Sequence, residues 1–155
     1  LSGLLVIGYG NTLRGDDAAG VLAARAVARE LPEARVIEAT ALLPEFAEEI
    51  ARARTVVFLD ADVRIEAAAV RDLLEEGEGF TEDAHAFTAG ALLHLAARLY
   101  GGVPARALFV GIPAGDFELG ETLSPRTLRG IDEAVAAVRG IVAAGASPAP
   151  PSTTI

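Results

Sequence analysis

The stretch Leu4 to Gly20, LLVIGYGNTLRGDDAAG, constrains the fold more than any other, because an apolar run ends in glycines and then in two adjacent carboxylates. Leu4 to Ile7 is short, apolar and half β-branched, which suits a strand buried on both faces. Gly8 and Gly10 stop it, Asn11 and Thr12 can bond local backbone in a turn, and Gly15 allows a positive φ. A helical pattern comes next over 18–31, and Asp16 or Asp17 can cap its start; Asp16 is the expected cap if Asp17 points into a cleft. Strand, loop and helix in this order place the loop at the carboxyl end of the strand, where α/β folds carry their chemistry.

The rest of the chain repeats the alternation. RVIEA at 35–39 reads as a second strand, and 42–53 as a helix with Pro44 near its first turn and Glu45, Glu48 and Glu49 early. TVVFL at 55–59 is a third strand that stops at Asp60. The segment 66–76, EAAAVRDLLEE, has helical propensity but also the length of an edge strand. A polar loop over 77–84 delivers His85, and a helix over 90–100 ends at Gly101 and Gly102. ARALFVGI at 105–112 is a further strand, after which Ser124 and Pro125 form an N-cap and N1 pair for a helix to about Val142. Such alternation indicates a largely parallel sheet with helices on both faces, in a single domain over 1–145. The remaining 146–155, ending in SPAPPSTTI, lacks apolar periodicity and is expected to be disordered.

Composition removes whole classes of chemistry. There is no cysteine, so disulfides, thiolate nucleophiles and cysteine-ligated zinc are excluded. Every basic residue is arginine, which excludes a Walker lysine and Schiff-base catalysis. A net charge of -9 argues against nucleic acid and anionic membranes as partners. No apolar run approaches the roughly 20 residues that span a bilayer, and the first apolar run ends too early for a secretory leader, so a cytoplasmic location is expected.

Asp17 after the first strand, Asp60 after the third and His85 after the acidic loop are the candidate site. A parallel sheet brings strand ends together, and two carboxylates with an imidazole can hold a divalent transition metal with positions left open. Each has a plainer reading: cap, turn former and surface histidine. Asp62 and His94 are expected at the surface, and Asp116 and Glu118 either cap or contact substrate. A dinucleotide fingerprint is broken, since Leu13 stands where the third glycine belongs, although Glu38 ends the second strand with the required acid. No serine sits in a G-x-S-x-G elbow.

GYGNTLRGDDAAG at 8–20, VVFLDA at 56–61, His85 with ALLHLAARLYG at 91–101, GDFELGETLSP at 115–125 and LLPEFA at 42–47 together resemble the hydrogenase maturation proteases, in order and over nearly the whole chain. The resemblance implies a three-layer α/β/α sandwich with a mostly parallel five-stranded sheet, one strand antiparallel, which makes the Val70 region a strand. It implies an endopeptidase that removes the C-terminal extension of a NiFe hydrogenase large-subunit precursor after nickel insertion, with Asp17, Asp60 and His85 as the catalytic and metal-contacting residues. Nickel is then supplied by the substrate, and the protease is expected to act as a monomer. Ala18 departs from the glycine of many members, and Ala41 and Leu43 are apolar where the resembling subgroup is often polar. The alternative is a non-catalytic metal- or nucleotide-binding α/β domain of the same fold.

Overall fold

The computed structural model describes residues 3–76 and 88–145. Along β1 (Leu4–Tyr9), β3 (Thr55–Asp62) and β5 (Arg106–Pro113), side chains alternate between two apolar layers, as the two-residue strand period dictates. Leu4, Val6, Val57, Leu59, Val110 and Ile112 face α1 (Ala19–Glu30) and α5 (Pro125–Gly145). Leu5, Ile7, Val56, Phe58 and Phe109 face α2 (Ala47–Arg52) and α4 (Ala89–Tyr100). Both faces are covered, which is why these strands read as continuous apolar runs.

Among the described residues the sheet has five strands in the order β2-β1-β3-β5-β4, where β2 is Arg35–Ala39 and β4 is Ala69–Asp72. All pairings are parallel except that of β4 with β5. The expected α/β sandwich with one antiparallel strand is therefore present. The ambiguous segment resolves into both of its readings: β4 pairs Val70 with Val110, and α3 (Leu73–Glu76) is a single helical turn. Pairing with β5, together with the Arg71 guanidinium at 4.7 Å from the Phe109 ring centre, overrides the local helical propensity.

Other boundaries shift for identifiable reasons. β3 continues past Asp60 to Asp62, because β5 pairs with it as far as Pro113. The first helix is preceded by a 3-10 turn at Gly15–Ala18, and α2 by another at Pro44–Phe46. The last helix reaches Gly145, and the Arg106 guanidinium bonds the Ile141 carbonyl at 2.7 Å near its end. Ser124 caps it as expected, its hydroxyl accepting the Thr127 amide at 3.3 Å. The 146–155 tail and the loop over 77–84 fall outside the described residues. Among the described residues no helix is long and apolar enough to cross a membrane.

One backbone contact sets how α1 meets the sheet. A Cβ at Gly20 would stand 2.2 Å from the Leu59 carbonyl oxygen and 2.7 Å from that of Tyr9, so only glycine lets the first turn of α1 rest on the ends of β1 and β3. Gly20→Ala is expected to cost about 3 kcal/mol through forced separation of these elements, which for a domain of this size lowers the melting temperature by about 10 °C. Gly140→Ala, at an open position of α5, should leave it unchanged or raise it slightly. Thermal scans of the two variants monitored by circular dichroism check the pair.

Candidate active site

Because β1 and β3 are neighbours and parallel, the turn beyond β1 meets the residues that end β3. Asp17 lies in the 3-10 turn after β1, and Asp60 two residues before the end of β3; both are half-buried. Each carboxylate is steered by a backbone amide: Asn11 N–H donates to Asp17 Oδ2 at 2.9 Å, and Ala61 N–H to Asp60 Oδ1 at 2.8 Å. The two are close enough that the Asp17 charge opposes ionisation of Asp60. Burial is the larger cause, and together with Asp17 and Asp62 it pushes the Asp60 carboxyl up to about 7, against the pull of the Ala61 amide and the Tyr9 phenol.

Tyr9 is a site residue that the sequence reading missed. Its phenol sits against Asp60, and burial, then the Asp60 charge, raises its pKa well above the ordinary value. The signal was available in the register: Ile7 pairs with Phe58, so continuing the two strands places Tyr9 beside Asp60 on the face of α2 and α4.

Asp16 does something other than cap a helix. It is 0% exposed and accepts four hydrogen bonds from the loop after β5: Gly115 N–H at 3.0 Å, Asp116 N–H at 2.9 Å, Ser124 N–H at 2.8 Å and the Ser124 hydroxyl at 2.9 Å. Burial alone would raise its pKa, but the Ser124, Asp116 and Gly115 amides and the Ser124 hydroxyl outweigh that and hold it at about 2. No side chain caps the 3-10 turn or α1. Gly15 belongs to the same junction, with φ 52° and its Cβ position only 2.6 Å from the Asp116 carbonyl oxygen. At Ala18 the backbone is right-handed helical, φ -73°, so an alanine is accommodated without strain.

The other candidate residues have different surroundings. Asp62 is a correction: its side chain is only 11% exposed and is held by Arg64 at 3.0 Å. His94 is exposed on α4, as expected. Asp116 and Glu118 are exposed in the loop after β5, where Asp116 accepts the Glu118 amide. Glu38 is paired with Arg25. His85 lies outside the described residues, and among those described no three His, Asp or Glu side chains are grouped to hold an ion. Asp17 and Asp60 are the two candidate carboxylates that the described structure brings together at this edge.

The architecture is a mostly parallel α/β sandwich with an antiparallel outer strand, and Asp17 and Asp60 lie at the carboxyl ends of the neighbouring inner strands β1 and β3. Three solved structures share the fold. The hydrogenase maturating endopeptidase HybD from E. coli matches with a TM-score of 0.75 and 22% identity, over 92% of this chain and 93% of that one. HybD, a [NiFe] hydrogenase maturation protease from Thermococcus kodakarensis, gives a TM-score of 0.68 and 23% identity over 90% of this chain and 98% of that one. HycI, a [NiFe] hydrogenase maturation protease from Thermococcus kodakarensis KOD1, gives 0.65 and 25% over 92% and 91%. No family model and no curated protein matches the sequence. The chain thus has the fold of the hydrogenase maturation proteases, over more than nine-tenths of the length of each of these three.

The two carboxylates should titrate far apart. A carbon-detected titration is expected to place Asp60 near 7 and Asp16 near 2. Since the Asp60 pKa is raised on folding, native stability falls as pH rises from about 4 to about 7. Asp60→Asn removes that loss and should melt above the wild type at pH 8. Asp16 has the opposite sign: its contribution is complete above about pH 4 and is lost as pH falls towards about 2.

Proposed function

We propose that this chain is a processing endopeptidase that removes the C-terminal extension of a NiFe hydrogenase large-subunit precursor after nickel insertion. The observation that supports this best is the Asp17 and Asp60 pair, set at one sheet edge within a fold that solved maturation endopeptidases share. In this reading nickel comes with the precursor, and Asp17, Asp60 and His85 contact it. When bound there, it supplies a Lewis acid and a recognition point beside the scissile peptide. The protease acts as a monomer in the cytoplasm.

The protein's own part is positional and protolytic. The Asn11 amide holds the Asp17 carboxylate, while the Ala61 amide and the Tyr9 phenol both bond the Asp60 carboxyl. Before the precursor arrives, a carboxyl with a pKa near 7 exchanges its proton at working pH, so taking up the precursor's cation would release that proton. His85 enters from the sequence resemblance.

The competing nucleotide reading is weakened by charge. Asp16 and Asp17 occupy the turn that leads into α1, where a phosphate would have to sit, and Glu38 is committed to Arg25. A carrier reading predicts tight metal retention, whereas a site without thiolates should bind free nickel weakly.

The decisive experiment incubates the protein with nickel-loaded precursor and weighs the products. One C-terminal fragment should be released. Asp17→Asn, Asp60→Asn and His85→Ala should each reduce processing by at least about a hundredfold, since misplacing the reacting groups by an ångström has that effect. An Asp60→Asn variant that cuts at the normal rate would refute the site. Stoichiometric nickel surviving chelator and dialysis in the purified protein would favour the carrier.

A further inference from the structure

Asp16 is buried completely, yet it neither caps a helix nor meets a counter-ion among the hydrogen bonds it makes. Both its oxygens are spent on one loop. Oδ2 takes the Gly115 and Asp116 amides and the Ser124 hydroxyl, and Oδ1 takes the Ser124 amide. The backbone continues the junction: Asp16 N–H donates to the Asp116 carbonyl at 2.7 Å, Gly15 N–H to the Gly120 carbonyl at 2.9 Å, and Gly120 N–H to the Leu13 carbonyl at 2.8 Å. Arg14 and Gly120 form a short parallel bridge. The loop after β1 and the loop after β5 are therefore one body.

Asp16 and Asp17 are consecutive in a 3-10 turn. With three residues per turn, their side chains leave the axis about 120° apart. Fixing Asp16 inward therefore fixes the direction in which Asp17 points, and the Asn11 amide meets that carboxylate at 2.9 Å. We propose that Asp16 is the positioning residue of the site: by locking the loop over 115–124 onto the turn at Gly15–Ala18, it aims Asp17 at Asp60. This rests on the endopeptidase reading for its kinetic consequence, but the lock itself does not.

The bonding pattern ranks the substitutions. Asp16→Ala removes all four acceptor bonds. Asp16→Asn, oriented to keep an oxygen at the Oδ2 position, retains three and turns its amide against the Ser124 N–H, so it should fall between wild type and alanine. Ser124→Ala removes the hydroxyl bond to Asp16, together with the cap on the Thr127 amide and the bond to the Thr127 hydroxyl, but leaves all three backbone amides on Asp16.

The test has two arms on the full chain. Hydrogen exchange is read at the Asn11, Asp116 and Gly120 amides, and precursor processing is measured at a temperature where circular dichroism shows each variant folded. In Asp16→Ala the three amides should exchange at least about tenfold faster, and kcat should fall about a hundredfold with KM for the precursor changed far less, as misaimed groups produce. Asp16→Asn should give an intermediate loss in both arms, and Ser124→Ala a smaller one of a few fold. A folded Asp16→Ala with wild-type kcat would overturn the proposal. So would Asn11 exchange at the wild-type rate in that variant. If Asp16→Ala does not fold, Asp16→Asn and Ser124→Ala carry the same comparison, and wild-type kcat and exchange in both would overturn it. A wild type that leaves the precursor uncut refutes the endopeptidase reading, and the exchange arm then decides the lock alone.

Discussion

Asp16 is the only carboxylate that the described part of the fold buries completely, and the organisation of the carboxyl edge depends on how its charge is satisfied. An ionised carboxylate away from water is costly unless donors replace its hydration. Here three backbone amides and one hydroxyl do so, all from a loop that has no regular structure of its own. The exchange is mutual. The loop gains order because its amides have a charged acceptor, and the carboxylate stays ionised because the loop is ordered.

Asp60 presents the reverse balance a short distance away. It is partly desolvated, has an anionic neighbour and receives a single backbone amide, so its ionised form is disfavoured. Two aspartates of one sheet edge thus lie on opposite sides of the ordinary carboxylate value, one shifted by donors and the other by their scarcity. Such divergence is what separates a structural acid from one that can exchange a proton at neutral pH.

Most of this architecture was legible in the residues. The apolar runs at Leu4 to Ile7 and Thr55 to Leu59 could hardly be anything but strands covered on both faces, and their parallel neighbourhood brings Asp17 to Asp60. What escaped was set by partners remote in sequence. Around Val70 local propensity alone left helix and edge strand open; the strand came from the resemblance, and pairing with Val110 is its physical cause. Asp62 read as a surface residue, and only the pairing with β5 carries β3 as far as its position. Asp16 had the local signature of a cap, and nothing within its own segment pointed to Gly115, Asp116 and Ser124. The Tyr9 contact needed only the register of two adjacent strands, and was the one omission that pattern reading could have supplied.

The separation of those partners has a consequence for the order in which the molecule becomes competent. The bonds of Asp16 close loops of 99, 100 and 108 residues, among the most distant contacts a chain of this length can make. A nascent chain that has emerged only as far as α4 already contains Asp17 and Asp60, but not the Gly115, Asp116 and Ser124 donors that hold the neighbouring Asp16. Long-range contacts of this kind form late, after the entropy of closing the intervening chain has been overcome. During synthesis the carboxylates are therefore present well before the junction that orders the Asp17 turn, and an incomplete chain carries both without it.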